Sequence, residues 1–152
     1  FWWDATRFLI PNWIIGFMLA LYPLYVLLSP EPVQWIPALG VATIALAIGI
    51  AIFAANIMGG GDVKLLAACC LWAGMEPILD FILYTALLGG ALSILLLVAR
   101  PLAAYLYLRV VKNGILPELL EHGKPIPYGL AIAGGFLILL AQGKLTGMEL
   151  AL

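Results

Sequence analysis

Residues 35–58 run without a charged side chain, and residues 78–99 carry only Asp80. A helix needs about 20 mostly apolar residues to cross a bilayer, within a range of roughly 17–25. Both runs meet that length. Three shorter apolar runs, 13–29, 63–75 and 128–142, are interleaved with them. The run 63–75 qualifies as a span only if it starts deep or packs inside a bundle. A water-soluble alternative fails on area. Hydrophobic residues make up 65% of the 152 and charged residues 10%, against roughly 45–50% and about 25% in soluble domains. With a mean hydropathy of +1.14, a chain this short cannot hide its apolar surface from water. The fold class expected is all-α, a polytopic transmembrane helical bundle forming a single domain over residues 1–152.

The breaks between runs carry the punctuation of loops: Ser29-Pro30-Glu31-Pro32, Gly59-Gly60-Gly61-Asp62, Glu76-Pro77, and a longer segment over 100–127. That last segment reads chiefly as a cytoplasmic connector. A continuation of the preceding helix past the membrane, or an interfacial helix, is the alternative. The start, Phe1-Trp2-Trp3-Asp4, has no Met. Residues 1–9 are expected to be the tail of a further helix, for about six helices in the complete protein. Basic residues gather on the cytoplasmic side of membrane proteins. Arg7, Lys64, Arg100, Arg109, Lys112 and Lys124 fall on alternate breaks, and only Lys144 falls on the other side. Asp4, the glycine run and the connector are therefore expected at the cytoplasmic face.

Charge and cysteine usage exclude several classes. The net charge of -1, with no basic stretch, gives no basis for a nucleic-acid partner. Cys69 and Cys70 are the only cysteines. Neighbours on a helix point about 100° apart, and a zinc module needs paired CxxC motifs, so no metal and no cofactor is expected. These two cysteines suit small apolar packing positions.

Acids at membrane depth are expensive and mark function. Asp4 and Asp62 each lie where an apolar run meets a cytoplasmic break, hence on one side at similar depth. Two carboxyl groups brought close do not both ionise cheaply, so one keeps a proton while the other stays anionic. That division suits peptide hydrolysis: the anion takes a proton from water and the neutral acid donates to the scissile carbonyl and the leaving amine. The plainer alternative is that Asp4 and Asp62 cap helices. Gly59-Gly60-Gly61 permits backbone conformations and close approaches closed to other residues, which favours an extended substrate beside Asp62. A hinge or close helix packing is the alternative. A transporter or channel subunit would place acids nearer the bilayer midplane.

Three ordered motifs carry a family resemblance. Asp4-Ala5-Thr6-Arg7-Phe8-Leu9-Ile10-Pro11-Asn12 resembles the first signature of type IV prepilin peptidases, and Gly59-Gly60-Gly61-Asp62-Val63-Lys64-Leu65-Leu66 resembles the second, the GxGD motif with its Lys. Lys124-Pro125-Ile126-Pro127-Tyr128-Gly129-Leu130-Ala131-Ile132 is similar to the third, at the start of the last helix. The resemblance implies a GxGD aspartyl peptidase of the bacterial inner membrane. Such enzymes remove the short leader of prepilins or pseudopilins at the cytoplasmic face, with membrane lipid around them. It makes Asp4 and Asp62 the catalytic pair. Long members also methylate the new N-terminus and carry a tetra-cysteine zinc module between early helices. Residues 12–35 have neither room nor cysteines for it. The chain is thus similar to the short, peptidase-only members of Flp-type, tight-adherence pilus systems. A preflagellin-type peptidase is the nearest alternative. The turn after Asp4 departs from the family, with Phe8-Leu9 where relatives are often more basic.

Supporting residues are expected around the pair. Gly59 and Gly61 leave room for substrate. Lys64 acts on an aspartate or a substrate carboxylate, or anchors at the headgroups. Arg7 lies in the turn after Asp4. Asn12 caps the helix that follows it, or bonds the turn. Tyr128 helps place a helix start near the site, or is an interfacial aromatic.

Overall fold

The structure, a computed structural model, describes residues 11–30, 32–110, 128–143 and 145, with the backbone alone at 103, 104 and 106–110. It is all-helical among the described residues. Five helices follow one another: α1 Asn12–Leu28, α2 Trp35–Ala54, α3 Gly60–Ala73, α4 Ile78–Val110 and α5 Tyr128–Ala141. α2 and the Ile78–Leu102 part of α4 are long and apolar enough to cross a membrane. Their faces explain the composition. Ile36, Ile44, Ile48, Ile50, Leu87, Ile94, Leu95 and Leu97 are all exposed, and among the described residues no polar or charged residue is buried. An apolar coat of this extent is what lipid, not water, solvates. The chain forms a helical membrane bundle.

α3 sits at the centre of the bundle and packs against α1, α2, α4 and α5. Its 14 residues rise only about 21 Å, short of the ~30 Å hydrocarbon core. Burial inside the bundle replaces the lipid contact it lacks: Val63, Leu65, Ala68, Cys69, Cys70, Leu71 and Ala73 are buried. Both cysteines are free, and pack in the core as small apolar residues.

Small residues set the close contacts. The backbone of α2 at Gly49 approaches α3 so tightly that a Cβ there would lie 2.5 Å from Val63 Cγ1. α4 and α5 meet through Gly89 beside Ala131, Gly134 beside Leu88 and Gly135 beside Thr85, the small-residue packing typical of membrane helices. α1 joins α3 through aromatics. Trp72 stacks edge-on to Tyr22 at 5.5 Å and tilted to Tyr25 at 5.4 Å, and its indole N–H donates to the Met18 carbonyl at 3.1 Å.

Several boundaries differ from the sequence expectation. The apolar run 35–58 is helical only to Ala54, because Asn56 takes a left-handed conformation, φ 57°, of the kind that closes helices. α3 begins at Gly60, inside the glycine run, and ends where Gly74, φ 72°, returns its N–H to the Cys70 carbonyl. The segment from Arg100 does not begin as a loop. α4 continues through Pro101 to Val110, so the helical-extension alternative holds over its first part. Pro101 follows a run of strong apolar helix formers, and such prolines are tolerated in membrane helices. Residues 111–127, the rest of the expected connector, lie outside the described residues.

Candidate active site

With short turns between α1 and α2, α2 and α3, and α3 and α4, successive helices run antiparallel. The starts of α1 and α3 therefore lie at one end of the bundle, and α5, whose end meets the start of α4, begins at that same end. Contacts at both ends agree with this. At one end the Lys64 ammonium donates to Asn12 Oδ1 at 3.3 Å, joining the first turns of α3 and α1. At the other end the Tyr84 hydroxyl and the Gln142 amide are hydrogen-bonded, joining the start of α4 to the end of α5.

Asp62 is the third residue of α3 and is partly buried. It is not the N-cap residue of its own helix. Gly59 occupies the N-cap position without a side-chain bond. The backbone of Gly129, the second residue of α5, lies beside the Asp62 carboxylate. α3 and α5 start at the same rim, so two helix N-termini, each with a partial positive charge, lie beside this carboxylate. Partial burial works against its anionic form, and these partial charges work for it.

The spacing explains why this pair meets. On α3, Asp62 lies three residues before Leu65 and seven before Cys69. On α5, Gly129 lies three before Ile132 and ten before Leu139. Leu65, Cys69, Ile132 and Leu139 share one buried cluster. Residues three and seven apart fall on one helix face, so the faces that pack the core also bring Asp62 and Gly129 together at the rim.

Asp62, Lys64, Asn12 and Tyr128 are gathered at this end. Gly59 is exposed there, and a Cβ on it would lie 3.5 Å from Asp62 Oδ2; Gly61 precedes Asp62 within the first turn of α3. Tyr128 opens α5. Asn12 does not cap α1 as expected: Pro11 holds the N-cap position, no side-chain cap bond forms, and the Asn12 amide oxygen goes to Lys64. A cation on the neighbouring helix is a stronger donor to that oxygen than a backbone amide. Lys64 is exposed and reaches across to α1. Asp4 and Arg7 lie outside the described residues. The Gly129 backbone is a neighbour that a search for side-chain chemistry does not find. Its signal is the three-residue offset from the core position Ile132. No group of three or more His, Cys, Asp or Glu able to hold a metal occurs among the described residues.

The Lys64–Asn12 bond is exposed, and its contribution is to placement more than to stability. Asn12→Ala and Lys64→Met are each expected to lower the activity of this site by a similar few-fold. The double variant is expected to be no worse than either single, since residues joined in one contact do not add. Strictly additive losses would show that the two side chains act separately.

A sequence profile described as that of the type IV leader peptidase family matches residues 1–94. The match takes in α1, α2, α3 and the first half of α4. No curated protein and no solved structure matches the chain.

Proposed function

We propose, from the premise that this chain belongs to the type IV leader peptidase family, that it is an aspartyl endopeptidase that removes the leader of Flp-like prepilins or pseudopilins. Asp62 and Asp4 form the catalytic pair. The observation that carries this reading is the place of Asp62: a partly buried carboxylate at the rim of a membrane bundle, in the first turn of α3 and beside the start of α5.

Asp4 is eight residues before Asn12, and Asn12 is tied to Lys64, two residues after Asp62. Eight residues span at most about 26–29 Å when extended, a length that allows Asp4 to reach Asp62. When the two carboxyls meet, one holds the proton that the other gives up. The anion draws a proton from water as it attacks the leader's carbonyl carbon, and the neutral acid protonates the oxygen and then the departing amine. Gly59 and Gly61 leave the approach to Asp62 free of side chains, which suits a substrate bound in extended form.

The site faces the cytoplasm. Lys64 lies at this rim, and the other bases of the alternate breaks fall on the same side of the chain's path. The enzyme is a multi-pass protein of the bacterial inner membrane. It is a peptidase only, because residues 12–35 hold α1, a short turn and the start of α2, with no cysteine among them. Co-expression with a Flp-type prepilin is expected to yield a shortened product on a gel. Its mass is expected to match an unmethylated N-terminus, and a product heavier by one methyl group would overturn the peptidase-only assignment. A prepilin that stays full length beside well-inserted enzyme would count against the substrate class.

A further inference from the structure

Phe53, one residue before the end of α2, is 52% exposed, and its ring stands over Gly60, the first residue of α3. A Cβ on Gly60 would lie 3.5 Å from Phe53 Cε2 and 3.8 Å from Cδ2 and Cζ. We propose that this ring is a specificity-determining group of the peptidase. It receives an apolar side chain of the substrate on the membrane-anchored side of the cut, within about four residues of the scissile bond.

The place of the ring is fixed from below. Gly49 of α2 faces Val63 of α3. Phe53 is one turn further along α2, and Gly60 is nearly one turn back along α3, so antiparallel packing carries the ring to Gly60. Leu46 and Ile50 are exposed like Phe53 and share its helix face. Phe53 therefore stands at the edge where the lipid-facing side of α2 meets its packed side. Beyond Gly60, a Cβ on Gly59 would lie 3.5 Å from Asp62 Oδ2. The ring, the two bare glycine backbones and the carboxylate thus form one strip across the start of α3. Its length is bounded. With the Cα–Cβ bonds and the Cα step between the glycines added, ring and carboxylate lie within about 14 Å of each other. An extended chain advances about 3.3–3.6 Å per residue. A peptide with its scissile carbonyl at Asp62 can therefore reach the ring within about four residues.

The direction of the peptide follows from what borders the strip. Lipid lies on the Phe53 side, and the open rim lies beyond Asp62. On the peptidase reading, on which this inference rests, the leader lies at the rim and the rest of the substrate stays in the bilayer. The anchored side is then the one that crosses the ring. Bare glycines have no side chains with which to tell one sequence from another. An aromatic ring offers a large apolar face, so discrimination falls to Phe53.

With the full-length protein in vesicles and a Flp-type prepilin as substrate, Phe53→Ala is expected to lower kcat/KM by about tenfold or more, the scale on which an apolar pocket separates side chains. Phe53→Leu and Phe53→Trp keep an apolar group at the strip and are expected to recover part of that loss. Serine is then placed, one position at a time, along the stretch that follows the cut. At one position the loss from Phe53→Ala is expected to shrink to less than about threefold, because its partner is already gone. An equal loss on every substrate, or no loss, would overturn the specificity role. A contact readout serves where Phe53→Ala inserts poorly. With p-benzoylphenylalanine in place of Phe53, in an Asp62→Asn enzyme that leaves its substrate uncut, irradiation is expected to cross-link a residue of that stretch. Cross-links to lipid alone would overturn the contact. A wild-type enzyme that cuts no prepilin overturns the peptidase reading, and the cross-link still decides whether the ring meets such a chain.

Discussion

Asp62→Asn is expected to reduce leader cleavage by about a thousandfold or more while leaving the protein inserted at wild-type levels. General acid–base catalysis contributes roughly 10²–10⁴-fold, and this exchange removes the group that supplies it without changing its shape. Asparagine has the same outline, so the packing of this side chain beside the start of α5 survives. It also keeps the first turn of α3 intact, because the N-cap position belongs to Gly59 and not to Asp62. What asparagine lacks is the ability to hold or release a proton. Asp4→Asn is expected to give a loss of the same order, and the double variant to be no worse than either, because two groups that share one proton act as a unit. The measurement is a gel assay of a co-expressed Flp-type prepilin, with enzyme quantified in the membrane fraction. Wild-type cutting by either single variant would remove that aspartate from the mechanism. A loss that tracks with missing protein would mean that the carboxyl is needed for folding and not for chemistry.

Much of this fold was legible because the bilayer simplifies the code. A helix in lipid announces itself by length and apolarity alone, and α2 and α4 did so. Boundaries were harder, since apolarity continues past the points where backbone conformation stops the helix. Ala55-Asn56-Ile57-Met58 looks like more of α2 by composition, yet Asn56 in the left-handed region ends it. Pro101 after Arg100 looks like a stop, yet α4 passes through it. At the candidate site, the glycines before Asp62 and its place at the edge of an apolar run single it out in the sequence. The role of Asn12 was not legible there. Its position before an apolar run resembles a cap, and only the folded bundle brings Lys64 from another helix to its side chain. The approach of Gly129 to Asp62 was hidden for a deeper reason: a backbone group has no residue type to mark it. It is reached only by counting helical turns upward from the packed positions Leu65 and Ile132.

Gly135→Ala, one methyl group, is expected to destabilise the bundle by about 1–3 kcal/mol, the usual cost of overpacking a filled interface. A Cβ at Gly135 would lie 2.5 Å from Thr85 Oγ1, 2.9 Å from Thr85 N and 3.2 Å from Thr85 Cα. Two of those three atoms are backbone, so no rotamer change relieves them and the axes of α4 and α5 must separate. Neighbouring glycines give the controls. Gly134→Ala meets only Leu88 Cδ1, at 2.8 Å, the end of a flexible side chain, and is expected to cost much less. Gly90→Ala meets nothing within 4 Å and is expected to be neutral or slightly stabilising, since alanine exceeds glycine in helix propensity by about 1 kcal/mol. Reversible unfolding in mixed detergent reads the series. Thr85→Ala sharpens it. The Thr85 hydroxyl is buried without a hydrogen-bond partner, so its removal alone costs little. In combination with Gly135→Ala it takes away the contact at Oγ1 and leaves those at N and Cα. Partial rescue is therefore the expected result, and full rescue would show that the side chain, not the backbone, limits the approach of the two helices. Because the start of α5 lies beside Asp62, cleavage by Gly135→Ala is expected to fall along with stability, and to recover only as far as the helix spacing does.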